Sequence, residues 1–123
     1  MKKILVVEDN ENNLYLITFI LEKQGHKVIA AKTGEAGVET ALKEQPDLIL
    51  MDIQLPGIDG LETTRRIRAS TTGGNVPIIA LTSYALVGDR EQVMTAGCTG
   101  YIEKPINPET IMGEIDKYLA GKK

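Results

Sequence analysis

The sequence is poor in the residue types that build disulfides, metal cages and membrane spans. It contains one cysteine, one histidine, four tyrosines, one phenylalanine and no tryptophan among 123 residues. One cysteine excludes an intramolecular disulfide, and a zinc cage needs more cysteine and histidine than this chain has. No apolar run is long enough to cross a bilayer and the first residues lack the apolar centre of a signal peptide, so we expect a cytoplasmic protein without membrane contact.

An excess of positive charge is also missing. The chain has 14 lysines and arginines against 17 acidic residues, a formal net charge of -3, so we expect no nucleic-acid binding. Its hydrophobic fraction of 42% and charged fraction of 25% are typical of globular proteins. We expect a single domain over residues 1–123, without linkers or repeats.

What the chain does have is a regular alternation of short apolar runs and helical patterns. The runs predict strands that end before residue 8, over 28–31, over 48–52, over 76–83 and over 100–103. Asn10 and Asp59 stand where helix caps are expected, and Asn107-Pro108-Glu109 predicts the start of the last helix. Strict alternation predicts an α/β fold, a doubly wound parallel sheet of five strands with helices on both faces.

Chemically active side chains follow the ends of four predicted strands. They are Glu8 and Asp9 after the first strand, Asp52 at the end of the third, Thr82 in the fourth and Lys104 after the fifth. The carboxyl ends of strands in such a sheet meet at one edge, where ligands bind. Three carboxylates there repel one another unless a proton or a cation intervenes, and Mg²⁺ is the hard cation that suits oxygen ligands.

This set of residues suits the transfer of a phosphoryl group to a carboxylate. Asp52 would attack, Mg²⁺ and Lys104 would neutralise the phosphoryl oxygens, and the Thr82 hydroxyl would contact the product. Each residue alone also has a structural interpretation, as a turn residue, a solvated lysine or a helix cap. Their joint placement at strand ends favours the functional interpretation.

The sequence resembles the receiver domain of bacterial two-component response regulators over essentially the whole chain. It is most similar to stand-alone receivers of the DivK-like and CheY-like single-domain type, without an output domain. The resemblance implies the flavodoxin-like, CheY-like α/β/α sandwich with strand order 2-1-3-4-5. The matching motifs are Val7-Glu8-Asp9-Asn10, Met51–Gly60, Leu81-Thr82-Ser83, Gly97–Tyr101 and Lys104-Pro105.

The resemblance assigns a role to each matching site residue. Asp52 matches the phospho-acceptor, and Thr82 and Tyr101 match the switch pair. Lys104 matches the phosphate-pairing lysine, and the Lys104-Pro105 bond matches one that is commonly cis. The implied Mg²⁺ ligands are Asp9, Asp52 and the backbone carbonyl of Gln54, with Glu8 acting through water.

The implied function is a phosphorylation-dependent signalling switch. The protein would accept a phosphoryl group from a histidine kinase or a histidine phosphotransfer protein. It would catalyse only its own phosphorylation and dephosphorylation, so we do not expect an enzyme in the usual sense. A downstream protein would bind through the fourth helix, fifth strand and fifth helix. We expect a monomer, with dimerisation on activation left open.

Other functions of the same topology are less well supported. A haloacid-dehalogenase-like phosphatase needs a second acid two residues after its nucleophile, where this chain has Gln54. A flavin- or nucleotide-binding module wants a glycine-rich loop after the first strand, where Glu8-Asp9-Asn10 would repel phosphate. A phosphorylation-independent adaptor of the same fold stays open.

Two further features of the sequence carry predictions of their own. Tyr15 and Phe19 are neighbours on the outward side of the first helix, so we expect this stripe to dock the phosphodonor. Gln54 and Tyr84 lie two residues beyond Asp52 and Thr82. We expect both to overhang the phosphoryl site and to hinder the water that hydrolyses the phosphorylated product.

Overall fold

The strands and helices of the chain alternate strictly. The structure, a computed structural model, describes residues 2–70, 74–83 and 87–120, without the side chains of residues 87–89. The strands within these ranges are β1 (Lys3–Val7), β2 (Lys27–Ala31), β3 (Leu48–Asp52), β4 (Ile78–Thr82) and β5 (Gly100–Glu103). The helices are α1 (Glu11–Lys23), α2 (Gly34–Glu44), α3 (Gly60–Ala69), α4 (Val87–Ala96) and α5 (Ile111–Ala120).

The sheet has the predicted topology. Its order is β2-β1-β3-β4-β5 and all neighbouring strands are parallel. Successive side chains of a strand face opposite sides of a sheet, so each strand feeds two cores. One core packs Ile4 and Val6 against α1 and α5, and the other packs Leu5 and Val7 against α2, α3 and α4. The α/β/α sandwich inferred from the sequence is therefore confirmed.

Helix starts follow the predicted caps except at α5. The side chains of Asn10 and Asp59 accept hydrogen bonds from backbone amides in the first turns of α1 and α3, each at 2.9 Å. The prediction that α5 begins at Asn107-Pro108 is wrong, because the helix begins at Ile111. Residues 108–110 form a turn in which the Asn107 side chain accepts from the Glu109 amide at 2.9 Å and the Asn107 carbonyl accepts from the Ile111 amide at 3.0 Å, so the regular helix starts one turn later than predicted.

Within the described ranges, no helix combines the length and the hydrophobicity that a membrane crossing requires.

Candidate functional site

Backbone hydrogen bonds between neighbouring strands bring the predicted site residues to one edge of the sheet. The Glu8 amide donates to the Ala31 carbonyl at 3.0 Å, just beyond the last pair of β1 and β2. The Lys104 amide donates to the Thr82 carbonyl at 2.8 Å, which continues the β4–β5 ladder past the end of β5. The carboxyl ends of β1, β3, β4 and β5 therefore form one rim, as the sequence predicts.

The ammonium group of Lys104 lies between two buried carboxylates. Its Nζ is 3.1 Å from Oδ1 of Asp52 and 3.3 Å from Oε1 of Glu8. Asp52 is 2% exposed and Glu8 is fully buried, whereas 15% of the Lys104 side chain is exposed. The Gln54 amide also donates to Oδ1 of Asp52, at 3.1 Å. Both donors converge on one carboxylate oxygen, which fixes the orientation of Asp52.

Glu8 is the acid of this cluster whose negative charge is least well compensated. Burial first, and then the hydrogen bond and the charge of Asp52, raise the pKa of Glu8 to about 7. Lys104 and the Asn10 amide oppose this shift but do not cancel it. Glu8 Oε1 is buried without a hydrogen bond to any group in the described residues, although it faces Lys104. One ammonium group is therefore too little positive charge for these acids.

The three acids fit a divalent cation. Oxygen atoms of Glu8, Asp9 and Asp52 lie within 4.8 Å of one another, with Asp9 exposed on the outer side. Oxygens bound to one Mg²⁺ ion are separated by at most about 4.2 Å, twice the usual ligand distance, so small side-chain movements would complete the contact. A buried carboxylate oxygen without a donor is the kind of group that such an ion, directly or through water, would satisfy.

The remaining predicted site residues differ in their exposure to solvent. Thr82 is 4% exposed at the end of β4, and Tyr101 is half-buried on β5. The Gln54 side chain is exposed beside Asp52. Tyr84 lies outside the described residues. The Lys104-Pro105 peptide bond is cis.

The predicted docking stripe lies on the outer side of α1. Tyr15 is 74% exposed and Phe19 is 56% exposed, whereas Ile17 and Leu21 of the same helix are buried in the core. α1 starts directly after the acidic loop, because Asn10 is its cap. An apolar surface therefore begins beside the site and points to solvent.

Sequence reasoning missed two residues that shape the site. Gly60 opens α3, and a Cβ atom there would overlap the carbonyl oxygen of Asp52. Only glycine lets the loop after β3 fold back this closely. Arg90 of α4 contacts Tyr101 across helix and strand. The sequence contains both residues, but neither contact has a signal in local spacing.

Comparison with known proteins agrees with this site. The family profile described as "Response regulator receiver domain" matches residues 4–116. The chain is 39% identical over 118 residues to the polar-differentiation response regulator DivK of Brucella ovis, covering 96% of both chains. The chain therefore belongs to the response regulator receiver domains of two-component systems. Its relatives in this family, DivK among them, are signalling regulators and not classical enzymes.

Solved structures show the same fold. The receiver domain of a sensor histidine kinase from Pseudomonas aeruginosa, with a magnesium ion coordinated in its active-site cleft, superimposes with a TM-score of 0.91. It is 39% identical and covers 98% of both chains. The chemotaxis regulator CheY4 of Vibrio cholerae gives a TM-score of 0.92 at 27% identity, over 96% of this chain and 98% of that one.

Proposed function

We propose that this protein is a phosphorylation-dependent switch in which Asp52 accepts a phosphoryl group. The observation that carries the proposal is the position of Lys104, whose ammonium group contacts both Asp52 and Glu8 at the rim of the sheet. The switch is one domain over residues 1–123, because every described strand joins one sheet.

The chemical step needs a carboxylate nucleophile and a way to neutralise the charge of the phosphoryl group. A carboxylate oxygen of Asp52 forms a bond to phosphorus while the bond from phosphorus to the donor nitrogen breaks, and the histidine keeps that electron pair. Lys104 stays within reach of the phosphoryl oxygens because it already contacts Asp52. Mg²⁺ held by Asp9, Asp52 and the Gln54 carbonyl, with Glu8 behind it, would supply further positive charge to those oxygens.

The decisive experiment measures covalent phosphoryl uptake. The protein is incubated with Mg²⁺ and a small-molecule phosphodonor beside an Asp52→Asn variant, and both are weighed intact. We expect one added phosphoryl group on the wild type alone. If folded wild type gains none even from a cognate donor, the phosphorylation-independent adaptor becomes the better description.

The conformational consequence is a population shift. In this proposal the Thr82 hydroxyl moves to the phosphoryl group and Tyr101 changes position in response, which alters the surface formed by α4, β5 and α5. A downstream protein would read that surface. The support is positional, since Thr82 ends β4 beside Lys104 and Tyr101 lies on the adjacent strand.

The phosphodonor would dock on the stripe formed by Tyr15 and Phe19. A helix of a histidine kinase or phosphotransfer protein packed there would place its phosphohistidine near the start of α1, next to Asp9 and Asp52. Tyr15→Ala combined with Phe19→Ala should slow transfer from the cognate donor but leave small-molecule phosphorylation unchanged. Leu42→Ala, at another exposed apolar residue on α2, is the matched control. Unchanged transfer in the double variant would exclude this docking site.

Loss of the phosphoryl group should depend on the side chains that overhang the site. We propose Gln54 and Tyr84 as these side chains, because each follows a site residue by two positions. A Tyr84→Ala variant should lose its phosphoryl group faster than the wild type after the donor is removed. Equal decay of the two proteins would show that Tyr84 does not limit access of water.

A further inference from the structure

Arg90 links α4 to the edge strand β5. Its guanidinium carbon lies 5.1 Å from the centroid of the Tyr101 ring, and its Nη2 atom is 3.8 Å from Oε1 of Glu103. Tyr101 and Glu103 are two residues apart on one strand, so their side chains leave the same face of the sheet. One side chain of α4 therefore contacts both, with its planar cation against an aromatic ring.

Both elements that Arg90 connects, α4 and β5, adjoin Thr82. In the β4–β5 ladder Thr82 pairs with Glu103, and Ala80 pairs with Tyr101. α4 itself follows β4 after residues 83–86. Arg90 thus joins the helix that follows Thr82 to the strand that pairs with Thr82. A movement at the end of β4 that shifts α4 against β5 has to stretch or break the contact with Tyr101.

We propose that Arg90 is a positioning residue that holds Tyr101 in the conformation in which Lys104 pairs with the unmodified Asp52 carboxylate. The inference rests on the proposed function, because it takes Thr82 and Tyr101 as the switch pair. By stabilising this conformation, Arg90 lowers the population of the one that accepts the phosphoryl group. The guanidinium group is partly exposed, so the effect is a modest bias on the equilibrium.

The first test compares rates of phosphoryl uptake from a small-molecule donor. Arg90→Met keeps the length of the side chain and removes its charge. Because the rate follows the population of the accepting conformation, we expect it to rise about two- to fivefold. Glu103→Gln is the matched control, since it weakens the ion pair but leaves the cation on the ring, and its effect should be smaller.

A double-mutant cycle separates positioning from a general structural effect. In a Tyr101→Ala background, Arg90→Met should change the rate much less, because the ring that Arg90 contacts is gone and only the pair with Glu103 remains. An equal increase in both backgrounds would overturn the proposal. So would an unchanged or lower rate in the single variant with its stability intact.

A second measurement does not depend on phosphorylation. Side-chain couplings measured by NMR on tyrosine-labelled protein give the χ1 rotamer populations of each tyrosine. Arg90→Met should increase the minor rotamer of Tyr101 and leave exposed Tyr15 unchanged. If the wild type takes up no phosphoryl group, the proposed function fails while this measurement still decides the role of Arg90. Unchanged Tyr101 populations would overturn that role.

Discussion

Two partly buried cations lie at opposite edges of the sheet, and they have different partners. Lys104, at the carboxyl edge, contacts the carboxylates of Asp52 and Glu8. Arg68, at the amino edge, donates to the backbone carbonyls of Gly97 and Val76 at 2.8 and 2.6 Å and to the Thr99 hydroxyl at 3.3 Å. Among the described residues, the partners of Lys104 are ionised and those of Arg68 are neutral.

The difference in partners indicates a difference in role. One planar guanidinium group donates to neutral carbonyls at the end of α4 and before β4. Arg68 therefore has a structural role, because it connects these two segments. The Lys104 cluster keeps a buried carboxylate oxygen that accepts no hydrogen bond from the described residues, and a glutamate whose pKa is raised to about 7. A cluster with this imbalance is ready to accept a cation or a phosphoryl group. Four predictions test the contrast.

The largest expected effect is on phosphoryl transfer. Lys104→Met removes the ammonium group that faces the phosphoryl oxygens, and we expect uptake from a small-molecule donor to slow about 100-fold. Arg68→Met should keep the wild-type rate per folded molecule, because Arg68 lies at the other edge. Intact-mass time courses of both variants measure this. A Lys104→Met rate close to that of the wild type would contradict the assigned role.

For the stability of the fold, Arg68 is the cation whose loss should matter. Arg68→Met leaves the Gly97 and Val76 carbonyls without their donor, and we expect the free energy of unfolding to fall by about 2 kcal/mol. Arg66→Met is the control, since that arginine makes only an exposed contact with Glu62 among the described residues. Urea unfolding compares the two. A similar loss in both variants would mean that the hydrogen bonds to these two carbonyls do not matter.

Magnesium should stabilise the native state by binding at the edge of the sheet that carries Lys104 and the acids. At a free Mg²⁺ concentration ten times the dissociation constant, binding to the native state adds about 1.4 kcal/mol to the free energy of unfolding. Asp9→Asn should remove most of this increment, whereas Arg68→Met should retain it. Thermal unfolding with Mg²⁺ and with a chelator gives the increments. An increment that survives Asp9→Asn would place the ion elsewhere.

The fourth prediction is a pH dependence of stability in the absence of metal. The folded pKa of Glu8, about 7, lies above its ordinary value of 4.5, so the native state binds this proton more tightly than the unfolded chain. The resulting stabilisation is complete below about pH 4.5 and is lost as pH rises through 7. In chelator, the wild type should therefore lose stability relative to Glu8→Gln between pH 5 and about pH 8. A difference that stays constant with pH would contradict the raised pKa.

Much of the carboxyl edge was predictable because its signals are local. An apolar run that stops on Asp52, and a lysine just before a proline after another run, place both residues at strand ends before any contact is known. Parallel topology then brings the strand ends together. The Arg68 tie could not be predicted in this way. Its partners Val76, Gly97 and Thr99 belong to segments that meet only after α3, β4 and β5 have packed.

The one clear error concerned the start of α5. Asn107-Pro108-Glu109 has the composition of a helix start. In the structure the Asn107 side chain stabilises a turn, and the regular helix begins at the buried Ile111. Local propensity gave two acceptable answers, and burial selected between them.

The sequence by itself determined the alternation that builds a parallel α/β sheet, the edge that carries the acids and the residue types available there, whereas the strand order was implied only by the resemblance to receiver domains. Hydrophobic periodicity and the handedness of parallel crossovers leave little freedom at that level. Only the tertiary structure decided that Lys104 lies between Asp52 and Glu8, that Glu8 Oε1 accepts no hydrogen bond from the described residues, and that Arg90 contacts the ring of Tyr101. Those properties depend on ångström-scale distances and on burial, which arise from packing between segments remote in the chain.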